Sequence, residues 1–201
     1  NAEDKNYFSM FLKDLSAKLH AGKKTLSCSI EARTPLTSRF SVIPKDIAYA
    51  NDYAALNKYC DIVAILAYDQ NNIDLLLNKK KGVNQPYLPI ADWEWLKKVI
   101  IEATKTIKPA KIMIGVPTFG YEYEIIPNGT KYIYNKVRSL SYQEAMALAQ
   151  QVGSTPQRNL AGELSFTYAT STITATSTTP SQRLVWFNDG WSIGDKIKWA
   201  R

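Results

Sequence analysis

The stretch Cys60-Asp61-Ile62-Val63-Ala64-Ile65-Leu66-Ala67-Tyr68-Asp69 constrains this chain more than any other. It is a nearly continuous apolar run that stops abruptly at an aromatic hydroxyl and a carboxylate. A strand with one wet face alternates polar and apolar residues. A run without alternation reads as a strand buried on both faces, as in a parallel sheet covered by helices. Polar groups that appear only where such a strand ends lie at the rim of the sheet, where α/β folds and barrels carry their chemistry. The pattern recurs at Lys111-Ile112-Met113-Ile114-Gly115-Val116-Pro117 and at Arg183-Leu184-Val185-Trp186-Phe187.

Helical periodicity fills the intervals. Phe8, Phe11, Leu12, Leu15 and Leu19 form one stripe over Asp4 to Leu19, and Gly22 stops it. Thr25 to Ile30 reads as a strand ending in Glu31-Ala32-Arg33-Thr34-Pro35, and Ile47 to Tyr59 reads as the next helix. A loop from Gln70 to Ile90, holding the basic run Lys79-Lys80-Lys81, leads to Asp92. That aspartate is a candidate N-cap for a helix over Trp93 to Ile107, which Pro109 closes. This βαβαβ rhythm breaks after Gly120. Strand-like segments (Lys131 to Tyr134, Leu164 to Tyr168), a helix over Tyr142 to Val152 and an exposed hairpin or loop over Thr170 to Ser181 follow. The parallel rhythm resumes with Arg183 to Phe187 and a helix over Ser192 to Ala200.

The predicted layout is therefore α/β, four parallel strands with their helices and a small α+β insertion between the third and fourth. Four such units make half of an eight-stranded barrel. Residues 1–120 and 181–201 form the barrel part and 121–180 the insertion. The chain opens without Met directly in an amphipathic helix, which reads as a start in mid-fold, a piece of something longer. It carries no pattern of a basic region followed by an apolar signal segment, and no run near the roughly 20 apolar residues that span a bilayer.

The net charge of +7 favours anionic partners. The basic residues are scattered, however, with no interleaving of basic and aromatic side chains on one face, and no glycine-rich phosphate loop follows any strand. Nucleic acid is not the expected partner. The single histidine, His20, and the absence of ligand spacing argue against a metal, and no cofactor is expected. Cys28 and Cys60 read most simply as small buried hydrophobes, with a single disulfide left open.

Collecting what the strand ends deliver gives the candidate site. The first supplies Glu31 and Arg33, the second Tyr68 and Asp69 with Gln70, the third Phe119 and Tyr121 with Glu122 beyond, the fourth Trp186, Asn188 and Asp189. Aromatic faces pack on the apolar faces of sugar rings while carboxylates and amides take hydroxyl and N-acetyl groups, so the set suits carbohydrate. Blander roles stand beside this one. Tyr68 reads also as a capped core tyrosine, Asp69 as a loop cap and Trp186 as plain core, while Glu31 and Arg33 read first as an internal ion pair. Trp93, Trp95 and Trp199 read as packing residues, and Asn128-Gly129-Thr130 as a glycosylation sequon or a surface turn.

Ala67-Tyr68-Asp69, then Gly115-Val116-Pro117-Thr118-Phe119-Gly120-Tyr121, then Val185-Trp186-Phe187-Asn188-Asp189-Gly190-Trp191-Ser192 resemble, in this order, the sixth, seventh and eighth barrel strands of glycoside hydrolase family 18. The segment Ser141-Tyr142-Gln143-Glu144-Ala145 resembles the opening of that family's insertion-domain helix, in the version found in peptidoglycan-directed bacterial members. The resemblance implies the carboxyl-terminal half of a TIM barrel with an α+β insertion domain. It also implies cleavage of β-linked N-acetylglucosamine polysaccharide, chitin or peptidoglycan, by substrate-assisted retaining catalysis. By resemblance, Tyr68 would hold the acetamido group, Asp69 the distorted sugar, and Trp186 the underside of the ring. The remaining rim residues Tyr121, Glu31, Arg33, Asn188 and Asp189 would contact the rest of the substrate.

The family's general acid, the Glu of an Asp-x-x-Asp-x-Asp-x-Glu motif, is absent from these residues. The chain alone is therefore expected to be inactive, and a non-catalytic, lectin-like glycan-binding module is the alternative. Half a barrel should pair with its missing amino-terminal half or self-associate. The family implies an extracellular or cell-wall location.

Overall fold

The computed structural model describes residues 3–45, 47, 49–70, 73–83, 85–128, 131–173 and 178–200, with only the backbone for 131, 171–173 and 178–180. Its contacts divide into two compact units. The first comprises Asn1–Gln85 and Glu94–Val116 with Ala200, the second Pro86–Trp93 and Pro117–Trp199 with Arg201. Residues 181–199 thus group with the segment expected to be the insertion.

In the first unit β1 (Ser27–Glu31), β2 (Ile62–Leu66) and β3 (Ile112–Gly115) form a parallel sheet in sequence order. Cys28 lies opposite Val63, and Ile65 opposite Ile114. Three helices foreseen in the sequence are present: α1 (Asp4–Ala21), α3 (Tyr53–Tyr59) and α5 (Trp93–Thr104). Leu56, Val63, Ile65, Leu96 and Val99 are fully buried at its core. The strand at 62–66 is not buried equally on both faces. Val63 and Ile65 are shut away, whereas Ile62, Ala64 and Leu66 stay half open. The apolar run is real, and one of its faces is only partly covered here.

Three local expectations are corrected. The helix before β2 begins at Tyr53, not Ile47, because Asp52 accepts the Ala54 amide and sets the start. A short helix, α2 (Leu36–Arg39), precedes it. Lys79, Lys80 and Lys81 are not in a loop but form the last turn of α4 (Leu75–Lys81), where cations oppose the negative end of the helix dipole. Asp74 opens that helix by accepting the Leu77 amide and, fully buried, takes an ion pair from Lys98 at 2.7 Å. Finally, Cys28 and Cys60 are joined in a disulfide that ties β1 to the entry of β2.

The second unit is an antiparallel sheet of five strands in the order β5-β4-β8-β7-β6. These are β4 (Phe119–Asn128), β5 (Lys131–Ser141), β6 (Gln157–Arg158), β7 (Leu164–Ile173) and β8 (Thr178–Phe187). The expected fourth parallel strand, Arg183 to Phe187, is the end of β8 and runs antiparallel to both β4 and β7. Helix α6 (Tyr142–Gln151) is opened by a full capping box of Ser141 and Glu144 and packs Ala145 and Ala149 on Leu140, Phe166, Val185 and Phe187. Helix α7 (Gly190–Ala200) ends the chain's regular structure. Strands β7 and β8 pair up to Ile173 and Thr178, so the Ser/Thr-rich stretch is paired strand, with residues 174–177 outside the described residues, as are Gly129 and Thr130 of the sequon. Trp93 stacks on Trp199 at 5.6 Å and Trp95 is fully buried, both packing roles.

Candidate functional site

Tyr68 and Asp69 leave the end of β2 half-buried. The strand is held to its last residue, with the Ala67 amide donating to the Gly115 carbonyl at 3.1 Å. A Cβ added at Gly115 would sit 3.3 Å from the Tyr68 ring, so the glycine clears the space the phenol occupies. Asp69 adopts φ +53, the left-handed region, which aspartate enters more readily than most residues.

Glu31 and Arg33 do not pair. Glu31 stays exposed at the end of β1. The Arg33 guanidinium turns away, lying 3.7 Å from the centre of the Tyr49 ring and 4.3 Å from that of Tyr53, and donates to the Asn51 carbonyl and side chain. Burial draws its pKa down, opposed by the nearby Tyr53, Tyr49 and Asp52. It lines a cavity of 370 Å³ with Tyr49, Asp52, Tyr53 and Glu102. The expected ion pair failed because stacking between two aromatic faces and a bidentate loop contact satisfy the guanidinium first.

In the second unit Trp186, near the end of β8, is 2% exposed. Its indole N–H donates to Glu163 Oε2 at 2.6 Å and the Tyr87 ring meets it edge-on at 6.3 Å. Asn188 is buried, its amide reaching the Phe119 carbonyl and its Oδ1 accepting from Ser192 and Lys196. Asp189 caps α7 through the Ser192 amide at 2.9 Å and is held by Arg158 in a two-point ion pair, both contacts at 2.8 Å. Tyr121 is buried between Phe119 and Tyr123, with the Lys136 ammonium 3.7 Å from its ring centre. Glu122 is also buried. Burial raises its pKa, but bonds from Tyr168 and Arg138 outweigh that and leave it lowered, while the Tyr168 hydroxyl is pushed up to about 12.

The Arg158 guanidinium holds the Asp189 carboxyl well below the usual carboxylate range, with burial opposing and Ser192 assisting. A depressed folded-state pKa contributes stability above the ordinary carboxylate value near 4, lost as pH falls below it. Arg158→Ala is expected to cost about 1 kcal/mol at pH 7. Its thermal midpoint should also fall less steeply than the parent's between pH 5 and pH 3. Equal acid slopes would assign the acid sensitivity elsewhere.

Sequence reasoning missed Glu163 and Lys196, both fully or nearly fully buried. Lys196 carried a signal: Ser192 and Lys196 lie four residues apart on one face of α7, with Asn188 four residues before them. Glu163 carried none. Among the described residues no group of three or more His, Cys, Asp or Glu is placed to hold a metal, and no helix is long and apolar enough to cross a membrane.

The family model described as glycosyl hydrolases family 18 matches residues 1–201. Among curated proteins, the uncharacterized glycosylase YvbX of Bacillus subtilis (strain 168) is 26% identical over 142 residues, covering 70% of this chain and 37% of YvbX. Two crystal structures share the fold over 100% of the chain at 23% identity. The protein ydhD of Bacillus subtilis, described as a sporulation-specific glycosylase, has a TM-score of 0.72 and is covered over 58% of its chain. The spore cortex-lytic enzyme SleL of Bacillus cereus has a TM-score of 0.70 and is covered over 39%. The chain thus spans between about a third and three fifths of the length of these relatives.

Proposed function

Because the chain belongs to glycosyl hydrolase family 18, we propose that it is the carboxyl-terminal part of a glycosidase. Its substrates on this reading are β-linked N-acetylglucosamine glycans, chitin or peptidoglycan, cleaved by substrate-assisted retaining catalysis. The observation that carries the reading is the Tyr68-Asp69 corner at the end of β2, with Asp69 at φ +53 and Gly115 clearing room for the phenol.

The Tyr68 hydroxyl hydrogen-bonds the substrate's acetamido group and aims its oxygen at the anomeric carbon. Asp69 stabilises the charge that develops on the acetamido group as the ring distorts. By the family resemblance Trp186 belongs beneath the sugar ring, and its burial at 2% exposure means that its face has to be uncovered for that contact. By the resemblance Tyr121, Asn188, Asp189 and Glu31 are further candidate contacts, whereas the Arg33 guanidinium is engaged by Tyr49, Tyr53 and Asn51. Work of this kind is positioning and charge stabilisation. Protonating the leaving oxygen needs a general acid, and the 201 residues hold no Asp-x-x-Asp-x-Asp-x-Glu segment to supply it.

On this reading residues 1–120 and 181–201 belong to a half barrel and 121–180 to the α+β insertion domain. The half-open face of Ile62, Ala64 and Leu66 supports the barrel assignment, since an inward barrel face awaits the opposite strands. The partner is a missing amino-terminal half or a second copy. The Cys28–Cys60 disulfide supports an oxidising, extracellular or cell-wall setting.

The test is the 201-residue chain incubated with N-acetylglucosamine trimer. Binding by calorimetry without release of shorter sugars is expected, with Tyr68→Phe weakening the trimer by roughly fivefold, the worth of one net hydrogen bond. Turnover by this chain alone would sink the claim that the cleaving group lies outside it, and no binding would sink the glycan reading.

A further inference from the structure

Glu163 is fully buried, and both of its carboxylate oxygens are occupied. Oε2 accepts from the Ile90 amide at 2.9 Å and from the Trp186 indole N–H at 2.6 Å. Oε1 accepts from the Ala91 amide at 3.0 Å and lies 3.1 Å from the Lys196 ammonium. A carboxylate offers about four acceptor sites, and here each is matched by a donor.

The backbone beneath it is equally determined. Asn159 Oδ1 accepts from the amides of Ala161 and Glu163, the Asn159 amide returns to the Glu163 carbonyl, and Gly162 turns the chain at φ +75. The side chain is therefore aimed before β7 begins.

Stability alone is a poor explanation for this arrangement. Desolvating a carboxylate and an ammonium costs several kcal/mol each, and apolar residues of similar volume fill such a space as well or better. What the carboxylate does that an apolar side chain would not is fix two other things. One is the rotation of the Trp186 indole, whose ring partner among the described residues is the edge of Tyr87. The other is the segment Tyr87 to Asp92, pinned at Ile90 and Ala91 and closed by the Tyr87 hydroxyl on Asp92 at 2.6 Å. Because Tyr87 rests on Trp186, one carboxylate sets both the indole and the loop residue that abuts it.

We propose that Glu163 is a positioning residue: it locks the orientation of the Trp186 indole and of the Tyr87–Asp92 segment. The proposal rests on the glycan reading above for what Trp186 binds. Its competitor is that Glu163 serves only to neutralise the buried Lys196.

Glu163→Gln, Lys196→Met and the double variant Glu163→Gln/Lys196→Met separate the two. The Trp186 indole N–H is followed by nitrogen NMR in tryptophan-labelled protein, with Trp186→Phe identifying its resonance. The double variant removes both charges, so its thermal midpoint returns close to the parent's even where Glu163→Gln alone is damaged. On the positioning assignment, Lys196→Met keeps the far-downfield indole resonance that a charged acceptor gives. Both variants lacking the carboxylate lose it and exchange the proton faster. The refolded double variant still binds N-acetylglucosamine trimer roughly tenfold more weakly than the parent, the low end of what one hydrogen bond to a charged group is worth.

An indole resonance unchanged in the double variant overturns the proposal, as does parent-like trimer affinity once the resonance has moved. Failure of the parent to bind the trimer overturns the glycan reading instead. In that event the resonance and exchange data still decide whether Glu163 holds Trp186.

Discussion

Removing the Cys28–Cys60 disulfide is expected to lower stability by about 3–4 kcal/mol, the chain-entropy value for a loop of this length. The bond closes 32 residues of sequence, carrying the chain from β1 through α2 and α3 to the entry of β2. Without it, the unfolded chain regains the freedom of that whole loop, while β1 and β2 must still find their parallel register. For a chain of this size, 1 kcal/mol shifts the thermal midpoint by about 2–4 °C, so the double alanine variant should melt about 10 °C below the parent. Lost packing of two small sulfur-bearing side chains would account for only a few degrees, and a shift that small would show that the cross-link contributes little. Cys60 is fully buried and Cys28 nearly so, so reductant should act slowly on folded protein and quickly once it unfolds.

The strand at 62–66 and its polar end were legible because an unbroken apolar run has few alternative readings. The disulfide was not, since pairing residue 28 with residue 60 depends on strand register, which no local pattern carries. The same reason explains β8. Its apolar end looks like the run that makes β2, but direction is set by the neighbours it pairs with, and β4 and β7 make it antiparallel. Helix α4 hid in an expected loop although Asp74 before it and Gly82 after it are ordinary start and stop signals. Its seven residues are too short for periodicity to show.

At the candidate site, residue types are legible in the sequence while their partners are not. Asp189, a candidate sugar contact by resemblance, also opens the helix-capping pattern Asp189-Gly190-Trp191-Ser192, and its cap on the Ser192 amide is seen in the structure. The expected Glu31–Arg33 ion pair gives way to two tyrosine rings around the guanidinium, a placement that no local pattern encodes. Glu163, a lone acid before a strand, acquires meaning only when residues 90, 91, 186 and 196 converge on it.

Gly120 is the position where the smallest change should do the most local damage. It sits in β4 directly opposite Phe187 of β8. A Cβ there would overlap the Phe187 Cβ and lie 2.6 Å from the Trp186 carbonyl oxygen and 2.7 Å from the Phe187 Cα. Two of those atoms are backbone, so no rotamer change relieves the clash. The ladder between β4 and β8 has to open, and Phe187, fully buried against Phe166, has to leave its place. Gly120→Ala is accordingly expected to cost about 3 kcal/mol or more, at the top of the range for overpacking a core. Gly194, inside α7, has nothing within 4 Å of its added Cβ, and alanine there should raise stability by about 0.5–1 kcal/mol through helix propensity and a stiffer unfolded chain. One methyl group is therefore expected to move the denaturation midpoint in opposite directions at the two positions. A Gly120→Ala protein as stable as the parent would mean that β4 and β8 do not approach as closely as the Gly120–Phe187 pairing requires.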